Sequence, residues 1–212
     1  MKELKKIFQQ NEAWAQQARK EDPEFFNRLS SVQKPDYLWI GCADSRVPAN
    51  QICGLQPGQV FVHRNVANLV VHTDINCLSV LQYAVEVLQV KHVIVCGHYG
   101  CGGVLAALDD KPLGLIDNWI RNIRDVLDLH SRYLEKIGDP KERGRRLVEL
   151  NVATQVTNLG NTTIVQDAWA RGQSLTIHGW VYSLKNGLLK DLDLCISDKT
   201  ALSKAHRLTR PE

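Results

Sequence analysis

The chain has 212 residues, 44% of them hydrophobic, and a formal net charge of +3. A chain of that length buries enough surface to stand without disulfides, and it fits one large domain or a domain with an appendage. Its 26 basic and 23 acidic residues are interspersed and only KERGRR at Lys141–Arg146 is locally basic, so a solvated helix start is expected there rather than a nucleic-acid surface.

The opening MKELKKIFQQNEAW lacks an apolar signal core, and no stretch approaches the roughly 18 continuous apolar residues of a membrane span. A cytoplasmic location is therefore expected, with no membrane or nucleic-acid partner. The six cysteines, at 42, 53, 77, 96, 101 and 195, are then expected as reduced thiols, so that clustered Cys and His point to metal binding or catalysis.

Residues 1–34 form a polar helical arm. Leu4, Ile7 and Phe8, and then Trp14 and Ala18, recur at helical spacing. Asp22–Pro23 has the form of an N-cap followed by proline at the first helical position, opening a second short helix through Phe25, Phe26 and Leu29. The arm has too little apolar surface to fold alone and is expected to pack on the body or on a second subunit.

Pro35 introduces the strand YLWIGC, and VFVHR at 60–64 is a second. In 78–88, Leu78, Leu81, Val85 and Leu88 share one helix face. The third strand spans His92 to Cys96 and the fourth is LTIHGW at 175–180. Long helices are expected over 116–136, from Asp139–Pro140 onward with Glu142 completing a capping box, and from Ile164 to about Gly172. Asn186–Gly187 between VYSL and LLKDL signals a hairpin. Strands alternating with helices predict an α/β fold: a mainly parallel, four-stranded core with an antiparallel edge, flanked by helices. The domain reading is an arm over 1–34 and an α/β domain over 35–212.

Chemistry concentrates where strands end. GHYGCGG at 97–103 follows a strand and precedes a helix, the ligand-binding edge of an α/β sheet. It lacks the glycine order of a dinucleotide loop. A cysteine nucleophile at 42 or 101 requires an activating base, and only three residues separate Cys42 from Arg46, with no glycine among them to curl the chain round a phosphate. A metal site accounts for more. His98 and Cys101 (H-x-x-C) on one loop, and Cys42 and Asp44 (C-x-D) on another, open at the same edge of a parallel sheet and can converge on one ion. Two thiolates and an imidazole suit zinc.

CADSR at 42–46, HRNVAN at 63–68 and GHYGCGG at 97–103 resemble the β-class carbonic anhydrases, specifically the bacterial type, and the likeness runs from the arm through HGWVY at 178–182. The resemblance implies one zinc per subunit, held by Cys42, His98 and Cys101 with Asp44 or water in the fourth position. It also implies a homodimer that usually pairs into a homotetramer, with the arm wrapping the partner. The implied reaction is reversible hydration of carbon dioxide to bicarbonate and a proton. Asp44 and Arg46 are the implied catalytic pair, Arg46 holding the carboxylate off the metal by a bidentate charge-assisted contact. The type II branch carries a non-catalytic bicarbonate pocket, here matched by Trp39, Arg64 and Tyr182, whose occupancy closes Asp44 onto zinc. Tyr83 and Gly102 are expected to line the carbon dioxide cleft. Two other readings share the ligand set: an enzyme hydrolysing carbonyl sulfide or carbon disulfide, and a zinc-holding protein with a permanently closed site.

Overall fold

A computed structural model describes residues 2–109 and 111–200. The chain divides into two compact units, residues 1–34 and 35–212. No described helix is long and apolar enough to cross a membrane.

In the first unit α1 (Lys2–Glu21) is followed by α2 (Phe25–Ser31). Trp14 meets Phe25 and Phe26 edge-on, with ring centroids 6.3 and 5.7 Å apart, and these contacts hold the two helices together. The second helix starts later than Asp22–Pro23 suggests. Asp22 accepts from the Glu24 N–H and pairs with the Arg28 guanidinium, so it braces the turn instead of capping the helix.

In the second unit the elements run β1 (Tyr37–Cys42), α3 (Ala49–Cys53), β2 (Val60–Asn65), α4 (Ile75–Gln82), β3 (His92–His98), α5 (Gly102–Ala106), α6 (Ile116–Leu129), α7 (Ser131–Leu134), α8 (Pro140–Gly160), α9 (Thr163–Ala170), β4 (Thr176–Ser183) and β5 (Leu188–Ile196). The sheet order is β2-β1-β3-β4-β5. The first four strands are mutually parallel, and β5 returns antiparallel to β4 through the Asn186–Gly187 turn, with Gly187 at φ 72°.

Three expected boundaries shift. β3 continues two residues past Cys96, so His98 is its last strand residue, opposite Tyr182 of β4; the ladder with β1 ends at Cys96, and pairing with β4 alone extends the strand. The helix expected over 116–136 is broken at His130, whose ψ of 14° separates α6 from α7. The helix expected from Leu78 begins three residues earlier because Asp74 caps it, accepting from the Asn76 and Cys77 N–H groups. It passes into a wider turn over Tyr83–Val87.

α8 covers one face of the sheet. Leu147, Val148, Val152, Val156 and Leu159 join Leu38, Ile40, Val93, Val95, Ile177 and Val181 in one core. A fully buried Leu, Val or Ile contributes about 1.5–3 kcal/mol, so this layer dominates stability. A Cβ on Gly97 would stand 2.7 Å from Val152 Cγ2; the glycine lets α8 approach the end of β3. The other face carries a small separate cluster of Trp39, Ala49, Ile94 and Cys96.

β1 lies between β2 and β3. The chain leaves the end of β1 toward one side of the sheet and the end of β3 toward the other. A crevice opens at such a reversal, outside the carboxyl ends of the strands, and ligands bind there. Cys42 and His98 are the terminal residues of those two strands.

Candidate metal centre

The structure brings Cys42, His98 and Cys101 together, with one potential ligand atom from each within 4.8 Å of the others. All three are buried, His98 completely. β1 delivers Cys42 and β3 delivers His98. The chain then reverses through Gly100, whose φ of 74° suits glycine, and sets Cys101 immediately before α5.

The donor set fits a metal on two observations. The Cys42 and Cys101 Sγ atoms are 3.8 Å apart; two sulfurs bound at about 2.3 Å to one tetrahedral zinc sit roughly that far from each other. Second, His98 Nδ1 lies 3.4 Å from the Tyr99 carbonyl, which places the proton on Nδ1 and leaves Nε2 to bind. That Nε2 is buried with no hydrogen-bond partner. A buried ring nitrogen without a partner is costly, and a metal ion beside the two sulfurs would satisfy it.

Electrostatics favour the thiolate form at Cys42. Cys101 hydrogen-bonds to it, and the His98 ring and the N–H groups of Ala67 and Asp44 also face it, so its pKa falls despite burial. Cys101 is pushed up by the same partner, and metal binding would displace a proton from such a thiol. Ala67 reaches this position only because its φ is 65°, and Asn151 Nδ2 holds its carbonyl at 3.1 Å. The HRNVAN segment thus serves the site through backbone, which side-chain motifs do not reveal.

Asp44 stands at the mouth. Its Oδ2 is 3.7 Å from His98 Nε2. Arg46 grips it through Nε to Oδ1 at 3.0 Å, Nη2 to Oδ2 at 2.7 Å, and its backbone N–H to Oδ1 at 2.9 Å. Those bonds hold the carboxyl well below the usual carboxylate range, so Asp44 is an anion turned toward arginine. In this conformation Arg46 occupies both carboxylate oxygens.

Arg64 has a role the motifs do not show. Its Nε donates to the Cys42 carbonyl at 3.0 Å and its Nη2 to the Asp44 carbonyl. It therefore clamps the loop carrying both residues. Trp39 is buried, edge-on to Trp180 at 6.4 Å, with its indole folded over Gly41, where a Cβ would overlap Nε1. Tyr182 lies opposite His98 in the sheet. Among the described residues no hydrogen bond joins Trp39, Arg64 and Tyr182 to one another. Gly102 opens α5 beside Cys101. Tyr83 is half-exposed and packs on Phe61, 5.8 Å between ring centroids, and no hydrogen bond or ring contact links it to the three ligand side chains among the described residues.

Residues 37–189 match the family described as carbonic anhydrase. A carbonic anhydrase of Emericella nidulans is 50% identical over 206 residues, covering 97% of this chain and 90% of that protein. The structure of a Coccomyxa β-carbonic anhydrase in complex with acetazolamide superposes with a TM-score of 0.91 at 41% identity, covering 95% of this chain and 91% of that one. One of two tetrameric β-carbonic anhydrases from Sordaria macrospora gives 0.88 at 40% identity, covering 93% of this chain and all of that one. The Emericella nidulans relative is fungal, so the likeness is not particular to the bacterial branch. Matched along nearly its whole length in sequence and in fold, the chain belongs to the β-class carbonic anhydrase family of enzymes.

Proposed function

We propose that this chain catalyses the reversible hydration of carbon dioxide to bicarbonate and a proton, using zinc held by Cys42, His98 and Cys101. The observation that carries the proposal is the orphaned His98 Nε2, facing two sulfurs 3.8 Å apart with an arginine-pinned carboxylate 3.7 Å away. Zinc, when bound, supplies the Lewis acidity that makes water acidic near neutral pH. Two thiolates balance the divalent charge, and they donate more electron density than imidazoles. Asp44 Oδ2 is placed to accept a hydrogen bond from a water in the mouth and to fix its orientation. Arg46 keeps that carboxylate from becoming a ligand. The Asp44–Arg46 pair is thus the catalytic pair.

A finer reading concerns regulation. Arg64 of β2 holds the carbonyls of both Cys42 and Asp44; Trp39 is on the adjacent strand β1, and Tyr182 is on β4, with β3 between. Bicarbonate on Arg64 would loosen that clamp, free Asp44 from Arg46 and let it close the mouth; low pH would act in the same direction. Type II character is proposed on this basis. Six unpaired cysteines support a reducing, cytoplasmic setting. A homotetramer, with the arm wrapped on a second copy, is supported by the exposed Leu4, Ile7 and Phe8 and by the tetrameric Sordaria macrospora relative.

The test is pH change after addition of dissolved carbon dioxide, with and without a chelator. Turnover abolished by chelation and restored by zinc supports the proposal. Full zinc with no hydration between pH 7 and 9 identifies a closed, non-catalytic zinc protein instead. Bicarbonate and pH profiles that coincide for wild type and Trp39→Val remove the regulatory reading.

A further inference from the structure

A cleft of about 510 Å³ is walled by Arg46, by the Tyr99–Gly100 turn between His98 and Cys101, and by residues of α8 and of the turn after β4 to which the hydration chemistry gives no role. Its walls carry Arg46, Lys141, Arg145 and Lys185, and no Asp or Glu lines it. Four cations in one recess are conspicuous on a chain whose formal net charge is +3. Lys141 and Lys185 make no ion pair among the described residues. Arg145 is paired with Glu142 at 3.3 Å and lies over the Tyr99 ring, 3.8 Å from its centroid. Arg46 gives Nε and Nη2 to Asp44, while its Nη1 makes no hydrogen bond among the described residues and its side chain is 61% exposed. Tyr99 and Leu105 add apolar wall.

The volume lies in the range of small-organic-ligand sites, roughly 300–1,000 Å³, and far exceeds what one bicarbonate fills. Converging lysines and guanidinium groups select phosphate or carboxylate groups, and the apolar wall accommodates a carbon skeleton. The place of Arg46 gives occupancy a consequence, because an anion in the cleft competes with Asp44 for the same guanidinium. We propose that this cleft binds a small organic polyanion, phosphate- or carboxylate-bearing, and that occupancy draws Arg46 away from Asp44 and lowers carbon dioxide hydration. The binding half stands on the cleft alone; the inhibitory half rests on the proposed hydration function.

The zinc-loaded full chain is titrated calorimetrically with glucose 6-phosphate and, separately, with tricarballylate, with zinc content checked afterwards. The two arms distinguish phosphate from carboxylate as the preferred group. Lys141→Glu/Lys185→Glu, which touches no metal ligand or catalytic group, is expected to bind the preferred probe about tenfold more weakly or worse, and added salt is expected to weaken wild-type binding. No binding of either probe, or affinity unchanged by the double reversal, overturns the proposal, and neither readout requires turnover. In the hydration assay the preferred probe is expected to slow wild type and Trp39→Val alike while leaving the double reversal, equally active without probe, unaffected. Inhibition that survives the double reversal, or that vanishes in Trp39→Val, overturns the link to Arg46.

Discussion

Two groups of side chains in this protein look alike by residue type, and among the described residues they differ in whether their donors already have partners. Cys42, His98 and Cys101 bring ligand atoms within 4.8 Å of one another, and so do His63, Asp74 and Cys77. Their surroundings separate them. His98 Nε2 has no partner, whereas His63 Nε2 accepts from Asn65 Nδ2 at 3.2 Å. Asp44 is pinned beside its group by a guanidinium, whereas Asp74 is already engaged as the cap of α4. The Cys42 thiol is pulled down by the hydrogen bond from Cys101, whereas burial pushes the Cys77 thiol up to about 12. A ligand set is recognised by donors left unsatisfied without the ion, and a packed cluster by donors satisfied within the protein.

The sharpest way to break this contrast is metal content. Cys42→Ser is expected to lose essentially all zinc, and Cys77→Ser to keep one ion per chain; elemental analysis of both purified variants showing the reverse would exchange the two assignments. Next in size, Asp44→Asn is expected to retain zinc and lose about a hundredfold or more of hydration activity. Full activity in that variant would remove Asp44 from the chemistry. Gly97→Ala forces Val152 outward at the end of β3 and is expected to cost about 1–3 kcal/mol in chemical denaturation. Asp74→Ala removes only a cap, so it is expected to cost about 1 kcal/mol without altering zinc content; a loss of zinc would make the second group a metal site after all.

The smallest effect is a pH dependence. Burial lowers the pKa of His63, opposed by Asp74, and burial followed by the charge of His92 lowers that of His178. A histidine whose folded pKa lies below its unfolded value near 6.5 contributes stability that is present above that value and lost as pH falls through the folded pKa. Thermal midpoints are therefore expected to drop as pH is lowered below about 6.5, and less so in His178→Gln. Midpoints that rise on acidification, or an unchanged slope in the variant, would contradict this.

Much of the architecture is legible from local pattern. The apolar runs YLWIGC and HVIVC mark buried parallel strands because both of their faces are covered, and Asn186–Gly187 marks the hairpin because its turn needs positive φ. The ligand candidates are legible because each sits at a strand end in a distinctive motif. The end of β3 is less so, since His98 belongs to the strand only through pairing with β4. The grip of Arg64 on two carbonyls, the Ala67 N–H facing Cys42, and the Tyr99–Glu149–Lys190 contacts, at 2.6 and 2.7 Å, join residues 20 to 50 positions apart or use backbone alone. No local pattern records such partners.

Residue order therefore determined the strands, the turn glycines and the chemical character of the two loops, because backbone sterics and side-chain periodicity act over a few neighbours. Only the folded sheet decided which loops meet. Placing β1 between β2 and β3 sends the chain in opposite directions from adjacent strand ends, and the crevice between them is where the sulfurs, the imidazole and the restrained carboxylate come within reach of one ion.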